Sequence, residues 1–257
     1  MKILVCVKQV LESELAVRPE PDGGHGPAVA ARWRLNRFDE HAVEQGLRLA
    51  EADEGPGRVE AVTVGPERAR EVLTRALGMG IEHGAHIRTP DGEPGDPAVT
   101  AGLLAGFAAG RGYDLILTGA LSEDLMQGAT GPMLAVALGL PWASLAVRLE
   151  WRGGAVYAER EIEGGRRQMM QLPLPALATV NTTARQPRYP TLSKLLKAKA
   201  AKLEIVQAED LRPPQARLKI IEHVTPPASR KGEILQGSPA RQAGELAARL
   251  RERGLLS

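Results

Sequence analysis

Two rhythms of apolar and polar positions run along the chain, and the change between them divides it. Ile3–Val7 is a continuous apolar run, the pattern of a strand buried on both faces. Leu11–Ala31, rich in Pro, Gly and charge, reads as an excursion. In LNRFDEHAVEQGLRLAE, Phe38, Val43, Leu47 and Leu49 fall broadly on one helical face. Asn36 can cap that helix, with Asp39 where a capping box usually has Glu. Val59–Val64 predicts the next strand, Gly65-Pro66 a helix start and Gly78–Gly80 its end. Gly84–Arg88 predicts a short strand, Asp96-Pro97 a helix reaching about Gly110, and Asp114–Thr118 another strand. Pro132–Gly139 continues a helix that begins near Thr130. Strand and helix alternate throughout, which predicts an α/β fold with a doubly wound, mostly parallel sheet.

After Pro141 the rhythm shortens. SLAVRLEW, AVYAERE and RRQMMQL are separated by Gly153-Gly154 and Gly164-Gly165, so hairpins are expected. Pro175–Asn181 is one more apolar strand, and Thr191–Lys202 a basic helical stretch. Pro-rich links (LRPPQ, VTPPAS) then lead to a closing helix near Pro239–Arg253. This divides the chain into residues 1–205, a nucleotide-binding α/β domain, and 206–257, a C-terminal arm. The arm has too little apolar surface for its own core, so it is expected to pack on something else.

With 257 residues, 43% hydrophobic and 25% charged, the chain suits one soluble α/β domain with an arm. Aromatics are 3%, so the core must be Leu, Val, Ile and Ala. Cys6 is the only cysteine, which excludes an intrachain disulfide and a multi-Cys zinc site. A net charge of +2 does not announce a nucleic-acid binder, and no apolar run approaches bilayer length. MKILVCVKQV reads as a first strand, not a signal peptide, and a reducing, cytoplasmic setting is expected.

Candidate chemistry concentrates in two places. In an open parallel sheet, ligands sit beyond the carboxyl ends of strands where the strand order reverses. If the strand ending at Lys8 neighbours the one ending at Thr118-Gly119, the loop DLMQGATG (Asp124–Gly131) lies at that point. A helix starting near Thr130 would aim free N–H groups at the crevice, and Gly128 and Gly131 would let a ligand approach the backbone. The same residues also fit a plain turn and cap. No Walker-type lysine stands in the loop, so it suits holding a phosphate rather than cleaving one.

The second place is Arg185–Lys202, which carries Arg185, Arg188, Lys194, Lys197, Lys199 and Lys202 and no acid. It reads either as a solvated amphipathic helix or as a docking element for an acidic partner, with Leu192 an apolar anchor ringed by charge. Tyr189 is its one aromatic, so nucleic-acid stacking is poorly supplied. The five histidines form no metal pattern, Cys6 is expected to be a buried inert thiol, and Glu159, Glu161 and Glu163 to face solvent. No Ser-His-Asp set, Cys-His pair or isolated acid–base pair of carboxylates emerges.

The stretches ILVCVKQV, NRFDEHAVE, EAVTVGPERAREVLTRALGMG, GALSEDLMQGATG and RYPTLSKLLKAK, in that order, resemble the β subunit of electron transfer flavoprotein. The resemblance runs from residue 1 to about 205. It implies a heterodimer with an α subunit that holds most of the FAD. It also implies electron transfer from acyl-CoA and related flavin dehydrogenases to a quinone oxidoreductase. A structural AMP would lie against Cys6, Asn36, Arg37, Phe38, Asp39, Val64, Asp124, Gln127, Gly128, Ala129, Thr130 and Gly131, with Phe38 near the partner's flavin. Pro190–Lys199 would be the recognition loop, with Leu192 its anchor and Arg188, Lys194, Lys197 and Lys199 its charges. Ser13 stands where relatives often have Tyr, which puts flavin shielding there in doubt. Pro132 resembles members that carry a second FAD in place of AMP and bifurcate electrons, whereas Thr130 resembles the AMP type. A stand-alone nucleotide sensor of universal-stress-protein type is the alternative; it would need neither the basic segment nor the arm.

Overall fold

A computed structural model describes residues 1–12, 17–19, 25–27, 32–53, 55–91, 95–219, 221 and 232–256. Most of the early excursion, including Ser13, and the VTPPAS link lie outside the described residues. The chain forms two compact units, Met1–Glu222 and His223–Ser257.

The first unit is built on a sheet of nine strands. In chain order the elements are β1 (Lys2–Cys6), β2 (Gln9–Leu11), β3 (Val17–Pro19), β4 (His25–Pro27), β5 (Trp33–Leu35), α1 (Arg37–Ala52), β6 (Arg58–Gly65), α2 (Glu71–Met79), β7 (His83–Arg88), α3 (Pro97–Ala108), β8 (Leu115–Gly119), α4 (Thr130–Leu138), β9 (Trp142–Arg152), β10 (Ala155–Ile162), β11 (Arg166–Leu172), β12 (Ala176–Val180), α5 (Leu192–Lys199) and β13 (Glu204–Gln207). The order across the sheet is β11-β10-β9-β12-β8-β1-β6-β7-β13. All neighbours from β9 to β13 pair in parallel. The β9–β10 and β10–β11 pairs are antiparallel, as the Gly pairs predicted. The doubly wound, mostly parallel sheet expected from the sequence is therefore present.

The apolar runs explain why the sheet is covered on both sides. Ile3 and Val5 pack into one core with Val43, Leu47 and Leu73 of α1 and α2. Leu4 and Cys6, pointing the other way, join a second core with Leu103, Phe107 and Leu134 of α3 and α4. The strand order reverses at β1, which pairs with β6 on one side and β8 on the other. Ile3 is in register with both Val59 and Leu115, so β1 and β8 end within a residue of each other while β6 runs three residues further.

Three local expectations are corrected. Asn36 stands at the start of α1, but its side chain makes no capping bond. Its amide donates to the Leu121 carbonyl and accepts from the Glu123 N–H, tying α1 to the loop after β8 instead. Thr130 is the first helical residue of α4 and does not cap it; Ala129 holds the cap position with no side-chain bond. Four short strands also went unpredicted: β3 and β4, which pair with each other, β5, which pairs with β2, and β13, at the sheet edge beside β7. Asp96 behaves as expected, capping α3 through the Ala98 N–H with Pro97 next to it.

After β13 the chain does not leave the body at once. Leu211 packs on Gly106 and Pro214 on Gly102 of α3. The second oxygen of Asp96 accepts from the Arg217 and Leu218 N–H groups at 2.6 and 2.9 Å. In the second unit, α6 (Pro239–Glu252) is capped by Ser238, and Arg249 pairs with Glu233 and Glu245.

Candidate functional site

A cleft of 1140 Å³ opens beyond the carboxyl ends of β1, β6 and β8, where the strand order reverses. Cys6, Asn36, Asp39, Val64, Asp124, Gln127, Gly128, Ala129, Thr130 and Gly131 all line it. Arg37 and Phe38 do not: Arg37 is exposed, and Phe38 is half-buried over Gly119 at the end of β8. The floor is apolar, from Val62, Val64 and Leu104, and the loop after β8 forms one polar wall.

Asp39 closes the back of the cleft. Its two oxygens accept from the Lys8 N–H at 2.8 Å and the Gly119 N–H at 2.9 Å. One carboxylate thus bridges the second residue past β1 and the last residue of β8, and fixes the spacing of the two strand ends. Burial pushes the Asp39 carboxyl up to about 7, and the hydrogen bonds from Lys8, Asn36 and Gly119 hold it from rising further. Burial, with Asp39 adding to it, pushes the neighbouring Cys6 thiol far above its ordinary value, so it stays a neutral apolar wall.

Among the described residues two cations line the cleft, Lys8 just past β1 and Arg68, which pairs with Asp91; neither comes from the loop after β8. Lys8 Nζ reaches Asp124 at 2.7 Å and Ser122 at 3.3 Å. Arg34 of β5 pins the neighbouring Glu123 at 2.9 Å. The loop is thus fastened at Leu121, Glu123 and Asp124, and α4 begins from a fixed point. No side chain caps α4, Pro132 has no N–H, and the Met133 N–H donates to the Ala129 carbonyl at 3.0 Å, so the open first-turn N–H groups are those of Thr130 and Gly131, which line the cleft. Gly131 lets that turn press on the sheet. A methyl group there would sit 2.6 Å from Thr179 Cγ2 and 2.8 Å from Thr118 Oγ1. The arrangement can hold an anion against backbone amides with an apolar ring on the floor. Among the described residues, no cluster of three His, Cys, Asp or Glu could hold a metal ion.

The basic segment lies away from the cleft. Thr191 caps α5 through the Lys194 N–H. Leu195 turns inward onto Gly78 of α2, while Leu192 is 73% exposed and Leu196 59%. Lys194, Lys197 and Lys199 are exposed. Arg188 is different: its guanidinium is committed to Glu44 and Glu51 of α1, so its charge is spent within the chain.

Sequence reasoning missed Lys8 as a cleft residue and Glu44 and Glu51 as the partners of Arg188. For Lys8 a signal was present: a cation directly after the first strand falls at the switch point. For Glu44 there was none, since its partner is 144 positions away.

A family model described as "Electron transfer flavoprotein domain" matches residues 28–211. "Electron transfer flavoprotein subunit beta" of Bacillus subtilis (strain 168) is 34% identical over 257 residues, covering 98% of either chain. The protein of the same name from Sus scrofa is 33% identical, covering 99% of this chain and 98% of that one. A mitochondrial counterpart from Oryza sativa subsp. indica is 35% identical over 91% of this chain and 93% of its own. With that likeness running end to end, and the matched region enclosing both the phosphate-type loop and the basic segment, the chain belongs to the electron transfer flavoprotein β-subunit family.

Proposed function

We propose that the chain pairs with an electron transfer flavoprotein α subunit, holds AMP in the switch-point cleft and helps to enclose the FAD of the α subunit. The observation that carries the nucleotide reading is the uncapped first turn of α4, held against the sheet at Gly131 and facing a 1140 Å³ cleft. Those amides and Lys8 suit the phosphate, and Val62, Val64 and Leu104 suit a flat apolar ring. FAD supplies the redox chemistry of the complex when bound. The residues of this chain bind and position; Asp39 keeps the strand ends apart by a fixed distance, and Phe38 faces toward the partner's flavin.

Electrons arrive from acyl-CoA and related flavin dehydrogenases and leave toward a quinone oxidoreductase, in the cytoplasm. The donor docks on the segment Pro190–Lys199, with Leu192 as anchor and Lys194, Lys197 and Lys199 as the charged rim. No helix among the described residues is long and apolar enough to cross a membrane, which suits a carrier that moves between partners.

Mass spectrometry of the nucleotides released from the purified α–β complex tests the reading. One AMP and one FAD per complex is the expected result. Two FAD and no AMP would replace AMP by a second flavin, as in bifurcating relatives. A homodimer carrying ATP would replace the reading by a nucleotide sensor.

A further inference from the structure

Away from the cleft, a buried carboxylate joins α1 to the strand-to-helix segment that leads into α5. The Glu44 side chain is fully buried. Its oxygens accept from the Arg188 backbone N–H at 3.0 Å, from Arg188 Nε at 2.8 Å and Nη2 at 3.3 Å, and from Arg48 Nε at 2.6 Å. The same guanidinium reaches Glu51, one to two turns along α1, at 2.6 and 3.1 Å. Burial by itself would push the Glu44 carboxyl up. The hydrogen bonds and charge of Arg188 outweigh it and hold the group below its ordinary value.

The backbone bond is the informative one. A side-chain ion pair fixes only a side chain, but the Arg188 N–H on Glu44 fixes the path of the main chain. Three further contacts continue that path. His41 Nδ1 donates to the Arg185 carbonyl at 3.1 Å, just upstream. Arg75 of α2 lies over the Tyr189 ring at 4.5 Å while bonding Glu40 at 2.6 Å. Pro190 and Leu195 rest on Gly78. Between these fixed points stands Leu192, turned to solvent. An apolar group presented from a segment already in its bound shape loses less conformational entropy on association. A buried ion pair is seldom the most stabilising filling for such a site, and its distinctive contribution is to specify one arrangement.

We propose that Glu44 and Glu51 are positioning residues for docking: by gripping Arg188 they hold the segment 189–196 so that Leu192 and Leu196 face an incoming flavin dehydrogenase. This rests on the docking reading given above. The clasp acts on the encounter between the two proteins and not on the cleft, which takes Asn36 and Asp39 from the start of α1.

The test uses the α–β complex with an acyl-CoA dehydrogenase reduced by its acyl-CoA, followed through the flavin absorbance. Arg188→Gln, Glu44→Gln and Glu51→Gln are compared with Leu192→Ala. The expected result is a KM for the dehydrogenase raised about three- to tenfold in Arg188→Gln and Glu44→Gln, and less in Glu51→Gln. The limiting rate and nucleotide content should stay unchanged, and amide hydrogen exchange across 189–196 should quicken. Arg188→Lys, which keeps the charge without the fork, should fall between wild type and Arg188→Gln; it also serves if Glu44→Gln fails to fold. If Leu192→Ala raises KM but Arg188→Gln and Arg188→Lys behave as wild type, the clasp is overturned and the docking surface stands. If Leu192→Ala is also without effect, the docking surface falls and the clasp's part in docking falls with it.

Discussion

Replacing Gly131 by alanine adds one methyl group where the first turn of α4 meets the sheet. That carbon would lie 2.6 Å from Thr179 Cγ2 and 2.8 Å from Thr118 Oγ1, about 1 Å inside ordinary contact. Both threonines are buried on central strands, so neither can swing aside. The helix N-terminus must therefore lift. Overpacking of this kind costs about 1–3 kcal/mol, which in a chain of this size lowers the melting midpoint by roughly 4–8 °C for a cost near 2 kcal/mol. The consequence for the ligand is sharper. Amides that lift by even half of that distance lose their reach to a phosphate oxygen, and one hydrogen bond to a charged group is worth about 1.5–3 kcal/mol. The dissociation constant for AMP should then rise by roughly ten- to a hundredfold.

Calorimetric titration of AMP into the nucleotide-depleted α–β complex measures this directly, with melting curves recorded with and without AMP. Gly139→Ala is the control. Gly139 ends the same helix in a left-handed conformation (φ 65°), with nothing near its added methyl group. That variant should lose about 1 kcal/mol of stability and keep its AMP affinity. If Gly131→Ala binds AMP within twofold of wild type, the amides of this turn do not hold the phosphate. If both variants lose affinity equally, the effect belongs to helix stability and not to the site.

Two more predictions concern the other cleft residues. Asp39 has a folded value near 7 against an ordinary 3.8, so the native state keeps a proton that the unfolded chain has released. Its stabilising contribution is complete below about pH 4, falls through the window up to about 7, and is gone above it; the gap of about three pH units corresponds to roughly 4 kcal/mol at most. Melting midpoints of the complex between pH 5 and 8 should fall more steeply for wild type than for Asp39→Asn, and parallel curves would remove Asp39 as the source. Lys8→Met should weaken AMP binding about tenfold and flatten its dependence on salt, because the Lys8 ammonium is the cation paired to the loop at Asp124; an unchanged salt slope in the titration would place the phosphate elsewhere.

How far the sequence was legible follows from what each feature depends on. The central strands β1, β8 and β12 were readable because burial on both faces leaves a near-continuous apolar run, and β6 because Val59, Ala61, Val62 and Val64 dominate it despite Glu60 and Thr63. The two hairpins were readable because their turns need Gly pairs. Strand β13, EIVQ, was not, because an edge strand after a basic helix carries too few apolar positions to stand out. Strand β5 is three residues long and exists only through its pairing with β2. The capping motif at Asn36 misled for a different reason. Asn at a helix start has the same sequence signature whether its amide turns back to the helix or, as here, reaches across to Leu121 and Glu123. Lys8 escaped because a cation was sought inside the loop, whereas the one that pairs with Asp124 comes from 116 positions earlier.

Helix α1 draws these separate contacts into one device. Its first turn supplies Asp39 to the strand ends and Phe38 to the surface over Gly119. About one and a half turns later Glu44 grips the segment that carries Leu192, and Glu51 completes the grip. The helix is buried along its length against β1 and β8, with Val43 and Leu47 in the core, so the two ends cannot shift independently without unpacking it. The proposed carrier would need its docking surface and its cofactor enclosure held at a fixed separation. On that proposal, a single packed helix that contributes to both would meet the requirement without a moving part. This explains why polar side chains on its inner face, Asp39, His41 and Glu44, are kept where apolar ones would pack as well.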